Sequence, residues 1–118
     1  MTTEYSVVSV STVTLEQLND MLITAVEGGI GYWSEVRNYE WEESYDNHDI
    51  PVTVEIRENG EKKWHKVSAE DLLRVVPRIS SVSGQASGWN LEEVMDNCDA
   101  DIADIAVQLL LFDKVVYG

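Results

Sequence analysis

The chain has 118 residues, 44% hydrophobic and 25% charged, with 22 acidic against 8 basic side chains and a formal net charge of −14. That length and apolar content suit one folded domain, and the negative charge repels phosphate backbones, which argues against direct DNA or RNA binding. The longest apolar run, Ile105-Ala-Val-Gln-Leu-Leu-Leu-Phe112, is interrupted by Gln108, and Met1-Thr-Thr-Glu-Tyr5 carries neither a basic stretch nor an apolar core, so neither a membrane span nor a signal peptide is expected.

A single cysteine, Cys98, leaves no internal disulfide and fits a reducing cytoplasm. In chain order, Tyr5-Ser-Val-Val-Ser-Val-Ser-Thr-Val13 is β-branched and partly alternating, which predicts a strand or an extended lead-in. Thr14-Leu-Glu-Gln17 then has the form of a capping box. Leu15, Leu18, Leu22 and Val26 recur at helical spacing before Gly28 and Gly29, predicting a helix over Leu15–Glu27.

Tyr32-Trp-Ser-Glu-Val-Arg-Asn-Tyr-Glu-Trp41 alternates, with Trp33, Glu35, Arg37, Tyr39 and Trp41 on one side. It predicts a strand. Asp46-Asn-His-Asp49 is turn chemistry, and Val52–Arg57, Asn59-Gly60 and Glu61–Val67 predict a hairpin closed by a type I′ turn. Ser68-Ala-Glu-Asp71 caps a short helix that Pro77 is expected to end, Ser80–Gly88 reads as a flexible loop, and Asn90 caps a helix that bends near Asn97–Ala100. Asp101–Phe112 is predicted as the last and most apolar helix. The fold class is therefore α+β, an antiparallel meander of three or four strands packed against N-terminal and C-terminal helices in one domain, residues 1–118.

Three sets of residues are candidates for function. Glu27-Gly-Gly-Ile-Gly-Tyr-Trp33 places three glycines and two aromatics at a helix-to-strand junction. Glycine allows left-handed angles or close approach of a ligand, and a ring beside it can stack; the same pattern also reads as a helix end with its aromatics in the core. It is no phosphate-binding fingerprint, because the glycines follow a helix instead of opening one. Asp101, Asp104 and Gln108 share one face of the last helix, either as its wet side or as a hydrogen-bonding surface for a ligand.

Charge is also segregated. Arg57, Lys62, Lys63, Lys66, Arg74 and Arg78 gather on the middle of the chain, as an anion site or as a solubilised hairpin edge. Two acidic sets, Glu40, Glu42, Glu43, Asp46, Asp49 and Glu92, Glu93, Asp96, Asp99, Asp101, Asp104, are either solvated or imitate a phosphate backbone. The two histidines, His48 and His65, have no metal-ligand spacing with Cys98, and no serine lies in Gly-x-Ser-x-Gly, so neither an enzyme, a metal nor a cofactor is expected.

Ala25-Val-Glu-Gly-Gly-Ile-Gly-Tyr-Trp33 and Asp99-Ala-Asp-Ile-Ala-Asp-Ile-Ala-Val-Gln-Leu-Leu-Leu-Phe112, closing with Val116-Tyr-Gly118, resemble the two ends of a family of small, mostly uncharacterised bacteriophage and mobile-element proteins. The resemblance implies that Gly28, Gly29, Tyr32 and Trp33, and Asp99, Asp104 and Gln108, are the recurring positions. Asp113 departs from it, glycine being usual there. It also implies a setting, the cytoplasm of a host cell, and action by binding. Two readings follow. In the first, Gly28, Gly29, Tyr32, Trp33, Asp104 and Gln108 form a ligand-binding site for a nucleotide-like molecule, within one chain or at the interface of a homo-oligomer, as in sequestration of a signal of host immunity. In the second, the acidic surface occupies the nucleic-acid groove of a host protein.

Overall fold

The computed structural model describes residues 4–8, 11–40 and 50–118. Two short strands come first, β1 (Glu4–Val8) and β2 (Ser11–Thr14), paired antiparallel with Glu4 opposite Thr14. The sequence predicts one extended piece here, because Tyr5–Val13 has no Gly, Pro, Asn or Asp to mark a reversal. Thr14 ends β2 and caps α1 (Leu15–Thr24): its hydroxyl accepts from the Gln17 N–H at 3.1 Å, and its own N–H donates to Gln17 Oε1 at 2.9 Å. Leu15, Leu18, Met21 and Leu22 turn inward, and the helix runs on into a single π-helical turn, Ala25–Gly29.

The second sheet is the predicted meander, with order β3 (Ser34–Glu40), β4 (Thr53–Glu58) and β5 (His65–Ser68), all antiparallel. The alternation predicted from Tyr32 breaks twice. Trp33 precedes the strand and is buried, whereas Glu35 and Arg37 are exposed, and the register shifts between Arg37 and Glu40, where Asn38 takes a left-handed φ of 51°. The hairpin is present but its turn differs from type I′. Of Asn59 and Gly60 only Gly60 has positive φ (87°), so the Glu61 N–H bonds to the Glu58 carbonyl at 3.0 Å without the mirror-image geometry. Ile56 consequently faces His65. A two-residue turn sets it against Lys63; the slip is even, so each side chain keeps its face of the sheet.

Asn19 joins the two halves. Fully buried on α1, it accepts from the Val52 N–H at 2.9 Å and donates to the Ile50 carbonyl at 3.0 Å, which fixes the approach to β4. Ser68 ends β5 and, with Asp71, caps a 3₁₀ helix, Ala69–Arg74. Pro77 does not end the helical path as predicted: it lies within a second 3₁₀ turn, Val76–Arg78, a first-turn position where its missing N–H costs nothing, and α2 (Ile79–Val82) follows. The predicted Ser80–Gly88 loop is therefore helical as far as Val82. Beyond it Ala86 is buried, and its N–H donates to Ser83 Oγ at 3.2 Å.

α3 (Leu91–Asp96) starts at the Asn90–Glu93 capping box, and α4 (Ala100–Phe112) at Asp99, which accepts from the Ile102 N–H at 3.0 Å. One buried cluster joins Leu18, Met21 and Leu22 of α1, Val54 and Ile56 of β4, Val67 of β5 and Ile102, Ala106 and Leu109 of α4. The architecture is α+β, as predicted. Among the described residues no helix is long and apolar enough to cross a membrane. Met1 to Thr3, Trp41, Glu42, Glu43, His48 and the predicted Asp46–Asp49 turn lie outside the described residues.

Candidate functional site

The π turn that ends α1 lies against the start of α4. A β-carbon built on Gly29 falls 2.7 Å from the Ala100 carbonyl oxygen, closer than any side chain tolerates, whereas one on Gly28 meets only the Ala100 Cβ at 3.8 Å. Glycine is thus required at position 29 for close approach and not for left-handed geometry, since its φ is not positive. The chain then reverses through Ile30, whose carbonyl accepts from the Trp33 N–H, the Ser34 N–H and Ser34 Oγ. This reversal delivers two aromatic side chains to one face of α4.

Asp104 is their common acceptor. Its Oδ2 accepts from the Tyr32 hydroxyl at 2.6 Å, and its Oδ1 accepts from the Trp33 indole N–H at 2.8 Å and from Gln108 Nε2 at 2.9 Å. Gln108, one helical turn on, is wholly buried. Its second Nε2 proton goes to the Tyr117 carbonyl at 3.2 Å, and its Oε1 accepts from the Val116 N–H at 2.7 Å and the Tyr117 N–H at 2.8 Å. Both donors and both acceptor positions of the amide are therefore in use. The Tyr117 ring lies parallel to the Trp33 indole, 5.5 Å between centroids at 3°, and Phe112 meets the indole at 5.4 Å and 58°. The Tyr117 hydroxyl also donates to Glu58 at the end of β4.

All six predicted site residues, Gly28, Gly29, Tyr32, Trp33, Asp104 and Gln108, lie at this one junction. The wet-side reading of the helix stripe fails for two of its three members: Asp101 is exposed, but Asp104 and Gln108 are buried, because Trp33 and Tyr117 cover that face. Tyr32 closes the outer side and is itself 57% exposed to solvent. Partial burial, then the hydrogen bond and negative charge of Asp104, push its phenol up to about 12.

Residue patterns alone pass over Tyr117, Phe112 and Glu58; Phe112 and Tyr117 fall within the segments that carry the family resemblance, and no sequence signal marks Glu58. Asp113, at the position where glycine was expected, adopts the left-handed cap itself (φ 61°), its N–H bonding to the Leu109 carbonyl. Arg78 holds it there through the carboxylate at 2.5 Å and the Asp113 carbonyl at 3.0 Å. Aspartate is among the few residues that tolerate this conformation.

Elsewhere the cations of the middle segment are partly engaged. Arg37 and Arg57 lie over the Trp64 ring at 4.0 and 4.6 Å, Arg57 paired with Glu35 at 2.7 Å and Arg37 with Glu55 at 3.4 Å. A pocket of about 500 Å³ on this sheet is lined by Asn38, Glu40, Thr53, Val54, Glu55 and Lys66 and shares no residue with the α4 junction. Cys98 lies between α3 and α4, where burial and the charges of Asp99 and Asp20 push its thiol up to about 11, far from a reactive thiolate. Among the described residues no group of three or more His, Cys, Asp or Glu is placed to hold a metal.

The fold and junction define an α+β protein in which a short segment after the last helix folds back onto a buried acid-amide pair. No family model, curated protein or solved structure matches the chain.

Proposed function

We propose that this protein acts by binding, and that the Trp33, Asp104 and Gln108 junction is where a planar, nucleotide-like ligand is held. The observation that supports the reading is the chemistry of the junction: an indole face carries a parallel ring, and beside it one amide reads an adjacent N–H donor and carbonyl acceptor. Stacking plus a donor-acceptor edge is how a base is recognised, and glutamine is a common reader of such an edge. Asp104 fixes the indole and the amide together, so the reading surface is set before a ligand arrives. In the setting implied by the phage-type resemblance, such a protein sequesters a nucleotide signal of host defence.

Calorimetric titration and thermal shift with a panel of mono-, di- and cyclic nucleotides test the proposal. Micromolar binding that disappears in Gln108→Ala supports it; no heat and no shift across the panel overturn it.

A second reading rests on a different region. Between Arg78 and Lys114 there is no lysine or arginine, while Glu92, Glu93, Asp96, Asp99 and Asp101 are all exposed along α3 and the start of α4. That face suits a decoy for a basic groove on a partner protein. Its mark is partner binding that weakens steeply with salt and falls when Glu92, Glu93 and Asp96 become glutamine or asparagine; binding indifferent to both removes it.

A further inference from the structure

The segment that follows α4 is held by the hydrogen bonds of one buried amide and by the packing of one ring. Gln108 takes the Val116 and Tyr117 N–H groups and gives one proton to the Tyr117 carbonyl, the Tyr117 ring lies on Trp33, and its hydroxyl reaches Glu58. Apolar anchoring is confined to the Tyr117 ring, which packs on Trp33 and Phe112, while Val115 and Val116 remain 40% and 48% exposed. At its root stands Asp113, a non-glycine residue in left-handed geometry, pinned by a partly exposed arginine. A segment anchored by one ring and a few part-buried side-chain hydrogen bonds, with its other side chains half-exposed, opens more readily than the core it covers.

What it covers is informative. With Val115 to Gly118 lifted, the indole face of Trp33 is bared and Gln108 is left with an acceptor and one donor, while Asp104 still holds the other donor. Tyr117 presents to this surface a flat ring together with a neighbouring N–H and carbonyl. It has the recognition elements expected of a base.

The geometry points to an internal gate: the strap Val115–Gly118 occupies the ligand surface of Trp33 and Gln108, and a planar ligand binds only as the strap leaves. This rests on the binding function proposed above, and it adds the step that controls it. When the binding-competent form is a minor fraction, apparent affinity falls by that fraction, so loosening the strap tightens ligand binding without altering the surface that the ligand touches.

Glu58 serves to test this because it holds the strap from β4 through the Tyr117 hydroxyl, beyond the ring that lies on Trp33. The full chain and its Glu58→Gln and Tyr117→Ala variants are titrated with adenosine, guanosine and their 5′-monophosphates, while hydrogen exchange is followed at the Val116 and Tyr117 amides. Tyr117→Ala also removes the stacked ring, and circular dichroism at the titration temperature checks that each variant is folded. The expected result is faster exchange at those amides and affinity tighter by about tenfold in either folded variant. Faster exchange with unchanged affinity overturns the gate and leaves the binding function standing. Binding by none of the three proteins overturns the binding function, and the gate falls with it.

Discussion

Two aromatic clusters in this protein use similar parts in opposite ways. On the sheet, Arg37 and Arg57 both lie over the Trp64 ring, and each arginine is answered by a carboxylate, with side chains that remain in contact with water. At the α4 junction Trp33 is buried to 1% exposure, and the polar groups around it are matched atom by atom: one carboxylate with three donors, one amide with four partners. Water screens the first cluster and competes for every bond in it, so its pairs are each worth little. The second is shielded, and removing one member there strands its partners without solvent. Number of contacts is a poor guide to what a cluster contributes; burial of the atoms that make them decides it.

The comparison is tested most severely at Asp104. Asp104→Ala leaves the Trp33 indole N–H and one Gln108 proton unanswered inside the protein, and we expect a loss of about 3 kcal/mol in denaturant unfolding. Asp104→Asn keeps one carbonyl oxygen for those two donors and should cost about 1 kcal/mol. Equal losses from the two variants would mean that carboxylate charge, and not the count of acceptors, holds the junction. Gly29→Ala comes next, at about 2 kcal/mol, because the new methyl group has to displace the Ala100 carbonyl from the first turn of α4. Gly28→Ala, which meets only a methyl group at ordinary distance on helical backbone without positive φ, should be neutral or stabilising by up to about 1 kcal/mol.

The Tyr32 phenol ionises near 10 in the unfolded chain and is pushed up to about 12 in the fold by partial burial and by Asp104. The folded-state value is the higher one, so this contribution is whole below pH 10 and is lost as pH rises toward 12, where the unfolded chain holds fewer protons than the native protein. Stability measured from pH 9 to 12 should therefore fall, and Tyr32→Phe should flatten the slope. Tyr39, raised by burial and by its hydrogen bond to Glu27, and Tyr117, raised by its bond to Glu58, add slopes of the same sign, so the flattening is partial. An unchanged slope in Tyr32→Phe would place the shift elsewhere.

How much of this is legible in the sequence follows the range of the interactions. Thr14 with Gln17, Ser68 with Asp71 and Asn90 with Glu93 are capping boxes closed within three residues, and all were readable as helix starts. The meander was readable from strand patterns and the Asn59-Gly60 signal, although the turn type was not, because a register two residues away keeps every side chain on the same face and the strand pattern does not distinguish the two. The six junction residues were picked out, yet the reason for Gly29 was not, since the crowding atom belongs to Ala100, far along the chain. Gln108 looked like surface by its spacing with Asp101, and only the return of Val116 and Tyr117 over α4 buries it. Asn19 was passed over for the same reason: a lone polar residue on a helix carries no sign that a strand 33 residues later will need its oxygen.

The smallest expected effect lies on the sheet and completes the contrast. Arg37 pairs with Glu55 and stacks on Trp64, but its side chain is 49% exposed. Arg37→Ala should therefore cost about 0.5 kcal/mol at low salt, less as ionic strength rises, with Glu55 losing part of what holds its carboxyl below the usual range, where Asn38 is the larger cause and Arg37 the next. Unfolding followed at 0.02 and 0.5 M salt would expose the difference, because Asp104→Ala should show nearly the same loss in both. A large, salt-independent loss in Arg37→Ala would place the Trp64 cluster in the same class as the buried junction, and the distinction between screened and shielded contacts would no longer account for this protein.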